Sequence, residues 1–206
     1  MSDVTGGSDG PDVGESEAVL VTTPVTDPAA TLDAASVGAP GGPVLAVLAT
    51  VPRERFERGM IGAGYDPETV RSVEFGPNVD TREGTVRGGG GKPHGDIAGL
   101  SMELVGRLDG LGEKGGVVYL ESVGSFVTAA GLESTFRFLL IVAARARAAG
   151  IPLVVRLDPE SAGPGVAETL VEAFDRTVDG LSGGSGGGTG STARWVETPN
   201  TSNTSR

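Results

Sequence analysis

Residues 117–160 read VVYLESVGSFVTAAGLESTFRFLLIVAARARAAGIPLVVRLDPE, and the fold class is most apparent from this segment. Two short apolar runs, Val117–Leu120 and Leu153–Leu157, enclose a long segment in which apolar residues recur at helical spacing. Those residues are Leu132, Phe136, Leu139, Leu140 and Ala143. Gly150 follows where a left-handed residue ends a helix. A strand, a helix and a strand in this order are typical of a parallel βαβ unit.

The same alternation continues on both sides of this unit. Four further apolar runs predict strands at Ala18–Thr22, Val44–Thr50, Arg71–Phe75 and, as an edge strand, Arg176–Val178. Three further segments predict helices at Asp27–Ser36, Asp96–Leu111 and Val166–Phe174. The pattern therefore predicts an α/β fold, with a mainly parallel twisted sheet and helices on both faces.

The two ends of the chain differ from this central part in composition. Residues 1–17 and 181–206 are rich in Gly, Ser, Thr and acidic residues, and too poor in apolar residues to offset the entropy of ordering. We therefore predict one folded domain over residues 18–180, flanked by two disordered tails. Within the second tail, the only Trp of the chain, Trp195, lies between Arg194 and Val196, and these three residues form a small island. This island is either a short docking motif or an incidental aromatic residue in a linker.

The charge balance excludes some classes of function. The formal net charge is −11, and the basic residues are 14 Arg and two Lys. Such a surface repels nucleic acid, and it is typical of a salt-adapted cytoplasm, where screening makes the self-repulsion tolerable. An acidic mesophilic protein is the alternative. No signal peptide or membrane span is evident, so we expect a cytoplasmic protein without nucleic-acid or membrane partners.

The sequence lacks the residues that two common kinds of site require, a zinc centre and a phosphate-binding loop. The chain has no Cys and one His, His94, which argues against a zinc site or any other metal centre that needs several such ligands. The turn after the first strand, Thr22–Thr31, has no Gly and no Lys, so it does not form a phosphate loop. The glycines at 88–91 precede Lys92, but Val86 and Pro93 break the required spacing. We predict a flexible excursion there and a solvated His94.

The remaining candidates for binding a cofactor are weak. Glu121 and Ser122 follow the fourth predicted strand, where many nucleotide hydrolases hold magnesium or orient water. Thr31 lies at the end of the segment that lacks the phosphate loop. The alternative for Glu121 is a carboxylate that caps or orders a loop, and Asp158 before Pro159 is typical turn chemistry. A carboxylate pair of Glu121 with Asp158 has no support beyond the adjacency of strands. We identify no catalytic residues.

With these elements placed, residues 117–160 resemble a haloarchaeal group related to the RecA and KaiC-like ATPases. In that group a hydrophobic strand ends in Asp-Ser or a similar pair, a Phe-Arg-Phe-Leu helix follows, and the next strand ends in Leu-Asp-Pro-Glu. Here Leu120, Glu121 and Ser122 match the second ATPase motif with Glu in place of Asp, and 136–139 match the helix. The resemblance implies a RecA-like three-layer sandwich, while the Walker A motif is absent.

Members of that group with this pattern look degenerate. The complete α/β skeleton, the absent phosphate loop and the flexible tails together predict a non-catalytic domain that binds a partner protein in regulation or signalling. We expect no cofactor and no tight binding of ATP. One alternative is a weak nucleotide binder or slow ATPase that uses Glu121 and Ser122. Another is self-association, since RecA-like domains tend to form rings or filaments. The arginines of the long helix, Arg137, Arg145 and Arg147, are either a basic stripe for an acidic partner or a solvated helix face.

A second resemblance is to the STAS domains of anti-anti-sigma regulators. In those domains a phosphorylated loop occupies the place of SFVTAAGLES, residues 125–134. The acceptor Ser of that family lies two residues before the Gly, where this chain has Ala129, and Thr128 is a poor substitute. The segments before Val44 and the LDPE ending fit the RecA-like reading better.

Overall fold

The computed structural model of the chain describes residues 16–37, 42–76, 96–108, 110–179 and 195–196. Six parallel strands form its sheet: β1 (Ala18–Thr22), β2 (Val44–Leu48), β3 (Val70–Glu74), β4 (Val117–Leu120), β5 (Leu153–Leu157) and β6 (Arg176–Asp179). Their order across the sheet is β3-β2-β4-β5-β1-β6, and a two-residue strand, β7 (Trp195–Val196), pairs antiparallel with β6. Every residue of β2, β4 and β5 is buried, as expected of central strands that are covered on both faces.

Seven helices cover the two faces of this sheet among the described residues. They are α1 (Pro28–Ala34), α2 (Arg53–Gly62), α3 (Ile97–Leu108), α4 (Val123–Ala130), α5 (Leu132–Ala148), α6 (Pro159–Ala162) and α7 (Val166–Leu170). The buried residues of α1 and α2 pack on one face, with Val19, Val21 and Val154 of the strands. Those of α3, α4, α5 and α7 pack on the other, around Leu20, Val155 and Leu157. The fold is a three-layer α/β arrangement.

Most of the predicted elements are confirmed. The strands at 18–22, 117–120 and 153–157 have the predicted bounds, and the others agree to within two residues. Asp27 caps α1 and Pro28 opens it, Asp96 accepts the Gly99 amide at the start of α3, and Gly150 has φ +69° after α5. The predicted strand Val44–Thr50 is too long by two residues. It ends at Leu48 because the next two amides bind a side chain, as described below.

Besides the single turn α6, two helices are absent from the sequence prediction. One is α2, in which five of ten residues are charged and only Phe56 and Met60 are buried. The other is α4, which covers much of the segment that the STAS resemblance assigns to a loop; Gly131, with φ +81°, separates it from α5. The chain between β4 and β5 therefore forms two helices.

Some predictions fall outside the described residues. These are the tail at 1–15, the glycine run at 88–91, Lys92 and His94, and the second tail apart from residues 195–196. No described helix combines the length and the apolar composition needed to cross a lipid bilayer.

Candidate functional site

Among the four central strands, the chain changes face at two places along the edge where the parallel strands end, which we call the carboxyl edge. After β1 and β2 the chain enters α1 and α2 on one face, whereas after β4 and β5 it enters α4 and α6 on the other. Because β2 neighbours β4 and β1 neighbours β5, two crevices open between strands whose connections diverge. Such switch points are where open α/β sheets bind ligands.

Glu121 closes the crevice between β4 and β2. It directly follows β4, has 0% exposure, and its carboxylate turns to the segment that follows β2. Its Oε2 accepts the backbone N–H groups of Ala49 (3.2 Å) and Thr50 (2.9 Å). Its Oε1 accepts the Thr50 hydroxyl at 2.6 Å and lies 3.4 Å from Nη2 of Arg156. The structure therefore makes Glu121 a carboxylate that orders a loop.

Arg156 closes the crevice between β5 and β1. It belongs to β5 and is 3% exposed. Its Nη1 donates to the carbonyl oxygen of Thr23, directly after β1, at 3.1 Å, while Nη2 faces Glu121. We call these two side chains, with Thr23 and Thr50, the Glu121–Arg156 cluster. It links the ends of the four strands that flank both switch points.

A buried tyrosine, Tyr119, lies beside this cluster, two positions before Glu121 in the sequence. Tyr119 of β4 is fully buried and stacks on Phe56 of α2, with ring centroids 6.3 Å apart. Burial raises the pKa of its hydroxyl far above the ordinary value, with a further rise from Glu121 and opposing contributions from Thr31 and Arg156. The hydroxyl interacts with Thr31 and Arg156, but no contact to it has full hydrogen-bond geometry.

The start of α1 is closed to an anion by the chain itself. Pro28 has no N–H, and the Asp27 carboxylate accepts the N–H groups of Ala29 (3.0 Å) and Ala30 (3.3 Å). The next N–H, that of Thr31, donates to the Asp27 carbonyl oxygen, which also accepts the Thr31 hydroxyl at 2.8 Å. No amide of this first turn is left for a phosphate.

The three candidates from the sequence have different surroundings. Glu121 lies in the cluster, and Thr31 is buried beside Tyr119. Ser122 precedes α4, and its hydroxyl pairs with that of Ser125 at 3.1 Å. Asp158 accepts the Glu160 N–H and caps α6, which is the predicted turn chemistry. The described residues contain no group of three or more potential metal ligands.

Arg156 is the residue of this site that sequence reasoning missed. The available signal was a lone charge inside LVVRL, a run otherwise typical of a central strand. A charged side chain there needs a buried partner, and in the structure that partner is Glu121, whose Oε1 lies 3.4 Å from Nη2 of Arg156.

One cleft opens beside the carboxyl edge. It has a volume of about 510 Å³ and lies between the start of α1 and the length of α2. Its polar side chains include Asp27 and Arg55, and small residues of α2, Gly59 and Gly62, form part of its wall. A second cleft of about 530 Å³ lies at the opposite edge of the sheet, around Arg71 and Lys114.

Comparison with known families gives one result. Residues 16–179 match a family of unknown function, DUF7504. The chain belongs to this family. The match covers all six parallel strands and the seven helices that pack on them. A comparison with curated proteins gives no match.

Proposed function

We propose that this DUF7504 domain is a non-catalytic relative of the RecA and KaiC-like ATPases that acts by binding a partner protein, in regulation or signalling. We place it in the cytoplasm of a salt-adapted archaeon, on the acidic composition and the resemblance of residues 117–160. The observation that carries the proposal is the state of Glu121, the residue at the position of the second ATPase motif.

A carboxylate that assists phosphoryl transfer must be able to reach magnesium or the attacking water. A carboxylate has about four lone-pair positions. The two oxygens of Glu121 already meet four donors, on Ala49, Thr50 (twice) and Arg156, inside a site without solvent exposure. Binding of a metal ion by Glu121 would require the loop after β2 to be released.

A second, separate observation argues against nucleotide binding, because the start of α1 does not form a phosphate-binding loop. Nucleotide-binding loops turn several backbone N–H groups toward the phosphates and add a Lys. Here the first turn of α1 has a proline, and its remaining N–H groups are taken by Asp27. The negative charge of that carboxylate also repels a phosphate. Glu121 and Asp27 thus accept the backbone N–H groups at the carboxyl edge that a nucleotide would need. This supports a role in binding a partner protein rather than in catalysis.

The described surface offers apolar side chains for such a partner. Four large apolar residues are exposed: Ile61, Met102, Leu140 and Ile141. Three of them belong to α3 and α5, which pack against each other, and Met102 is 77% exposed. Two of the three arginines of α5 are held in ion pairs, Arg137 with Glu133 and Arg147 with Asp175. This favours an apolar contact over a basic stripe.

Thermal unfolding in molar salt, with and without ATP and magnesium, tests the non-catalytic part. A ligand at a hundred times its dissociation constant adds about 2.7 kcal/mol to the free energy of unfolding. We expect no shift of the melting temperature at millimolar ATP, relative to a control with magnesium sulfate at equal ionic strength. A reproducible shift with ATP alone would refute the proposal and support the weak nucleotide binder that uses Glu121 and Ser122.

Crosslinking in native cytoplasm tests the partner-binding part. We expect a defined adduct with wild type that is lost in Met102→Glu and Ile141→Glu and kept in the control Glu68→Lys. An adduct of unchanged yield in all variants would exclude the α3 and α5 surface. Light scattering in high salt distinguishes self-association, since a second copy as the partner requires a dimer or larger assembly.

A further inference from the structure

The cleft of about 530 Å³ lies where the parallel strands begin, and we call it the amino-edge cleft. Three parts of the chain form its walls: the starts of β2 and β3, the end of α3, and the turn and 3₁₀ helix that lead into β4. Its volume is within the range of small-molecule sites. It is separated from the Glu121–Arg156 cluster by the length of the strands.

Two glycines leave the space in this cleft open. Gly106 and Gly110 both line it, and a Cβ at either position would meet no atom within 4 Å. Gly110 has φ +76°, a backbone conformation that favours glycine. Gly106 lies inside α3, where glycine is less favourable than almost any other residue. The helix thus has a destabilising residue at the position from which a side chain would enter the cleft.

Two cations of the amino-edge cleft have no partner within the described ranges. Arg71 of β3 and Lys114 of the 3₁₀ helix are exposed, and their side chains make no ion pair or hydrogen bond there. The chain has 27 acidic and 16 basic residues, so a carboxylate is seldom far from a cation. Six other described arginines are in ion pairs: Arg53, Arg107, Arg137, Arg147, Arg156 and Arg176.

Two carboxylates line the same cleft. Glu68 precedes β3, and Glu113 lies in the 3₁₀ helix. In the described part of the chain, neither forms an ion pair with Arg71 or Lys114. The end of α3 adds the negative end of a helix dipole, which favours a cation. Charges of both signs thus line one cleft without pairing, so a molecule between them can contact both.

We propose that the amino-edge cleft binds a small zwitterion with a carboxylate, an ammonium group and an apolar part, which is the chemistry of an amino acid or a short peptide. Its carboxylate binds Arg71 and Lys114. Its ammonium group binds Glu68 and Glu113, near the end of α3, and its apolar part packs on the half-buried Leu111. The inference does not depend on the proposed function, so either can fail without the other.

Titration of the full chain in molar KCl, followed by amide NMR, tests this site. The zwitterionic probes are L-leucine and L-leucyl-L-leucine, and the single-charge probes are isocaproate, which lacks the ammonium group of leucine, and isopentylamine, which lacks its carboxylate. We expect saturable shifts at Thr69, Arg71 and Gly106 with a zwitterion, and affinities lower by a factor on the order of ten for the single-charge probes. The tighter of the two zwitterions distinguishes an amino acid from a peptide.

Two charge variants separate the two ends of the ligand. Arg71→Gln should weaken binding of the zwitterion and of isocaproate by a factor on the order of ten and leave isopentylamine unchanged. Glu113→Gln should weaken the zwitterion and isopentylamine and leave isocaproate unchanged. The control Arg145→Gln, which removes an exposed arginine of α5, should change none of these affinities.

Gly106→Gln fills the cleft without removing a charge. We expect it to abolish binding, while its melting temperature without a probe equals or exceeds that of wild type, because Gln favours a helix more than Gly does. Gly59→Gln is the matched control in α2, where a Cβ also meets no atom within 4 Å, and it should bind as wild type does.

The proposal is overturned if neither zwitterion produces saturable shifts at the cleft, or if a single-charge probe binds as tightly as the zwitterions. Unchanged binding by folded Gly106→Gln would overturn it as well, because the ligand would then occupy another part of the surface.

Discussion

Arg156 is a cation inside a central strand, and its surroundings explain how it can be buried there. The carbonyl oxygen of Thr23 and the carboxylate of Glu121 both accept from its guanidinium group. Removing one member of a buried pair leaves an uncompensated charge, which is far more costly than the pair itself is stabilising. The two residues should therefore behave as one unit.

Glu121→Gln and Arg156→Met test this coupling. We expect each to lower the free energy of unfolding by about 3–5 kcal/mol. The double variant should lose less than the sum of the two, by about 0.5–3 kcal/mol. Urea unfolding at neutral pH measures all three. Strictly additive losses would show that the two side chains do not interact.

Tyr119 gives a prediction that depends on pH. Burial raises its pKa, and burial with Asp33 raises the pKa of Tyr65, so the folded chain keeps protons that the unfolded chain loses. The stability that this contributes is complete below about pH 10, the ordinary tyrosine pKa, and is lost as the pH rises further. Tyr119→Phe should lose less stability than wild type between about pH 8 and pH 11.

The neutral-pH arm of the same experiment is a control. The Tyr119 hydroxyl lacks a full hydrogen bond, so Tyr119→Phe should change the free energy of unfolding at pH 8 by no more than about 1 kcal/mol. Urea unfolding at both pH values provides the comparison. An identical loss of stability with pH in wild type and variant would contradict the assignment.

At the scale of elements, the sequence predicts the sheet better than it predicts the helices. The apolar runs of β1, β4 and β5 are bounded by turn residues, so their positions follow from composition. α2 was missed because RERFERGMIG has only two buried apolar residues, which is too few for a visible period. α4 was missed because VGSFVTAA is apolar or small on all sides.

The ends of elements were harder to predict when a distant side chain sets them. β2 stops at Leu48 because Glu121, 72 positions after Ala49, takes the amides of Ala49 and Thr50. The sequence around Ala49 and Thr50 gives no local sign that the strand ends there. The sequence also predicts that Glu121 lies at the carboxyl edge. Whether it acts in catalysis or orders a loop depends on the hydrogen-bond donors around it, and only the fold determines these.

A pair of glycines tests the packing of the elements. Gly112 lies in a short 3₁₀ helix, Gly112–Lys114, and a Cβ there would meet the carbonyl oxygen of Ala149 at the end of α5. Gly106 lies inside α3, and a Cβ there would meet no atom within 4 Å. Gly112→Ala should destabilise by about 1–3 kcal/mol. Gly106→Ala should stabilise by about 0.5–1 kcal/mol.

Thermal unfolding of both glycine variants measures this difference in sign. The opposite order, with Gly112→Ala the more stable variant, would show that the 3₁₀ helix does not pack on the end of α5 as described.

At the scale of the whole molecule, the net charge of −11 opposes folding at low salt. The screening length falls from about 10 Å at 0.1 M salt to about 3 Å at 1 M, which weakens repulsion between surface carboxylates. We expect the melting temperature to rise over this range of KCl. A variant with several exposed acidic residues changed to Asn or Gln should show a smaller rise. A flat or falling wild-type profile would contradict salt adaptation.

Phosphorus NMR of magnesium ATP shows whether the closed carboxyl edge leaves the domain unable to bind a nucleotide. At millimolar nucleotide with the full chain in molar salt, the closed edge predicts that the three phosphate resonances keep their shifts and line widths, and that no ADP accumulates over hours. Broadening or shifts of the β and γ resonances that saturate with protein concentration would contradict a closed carboxyl edge, because they would show that the domain binds the nucleotide phosphates.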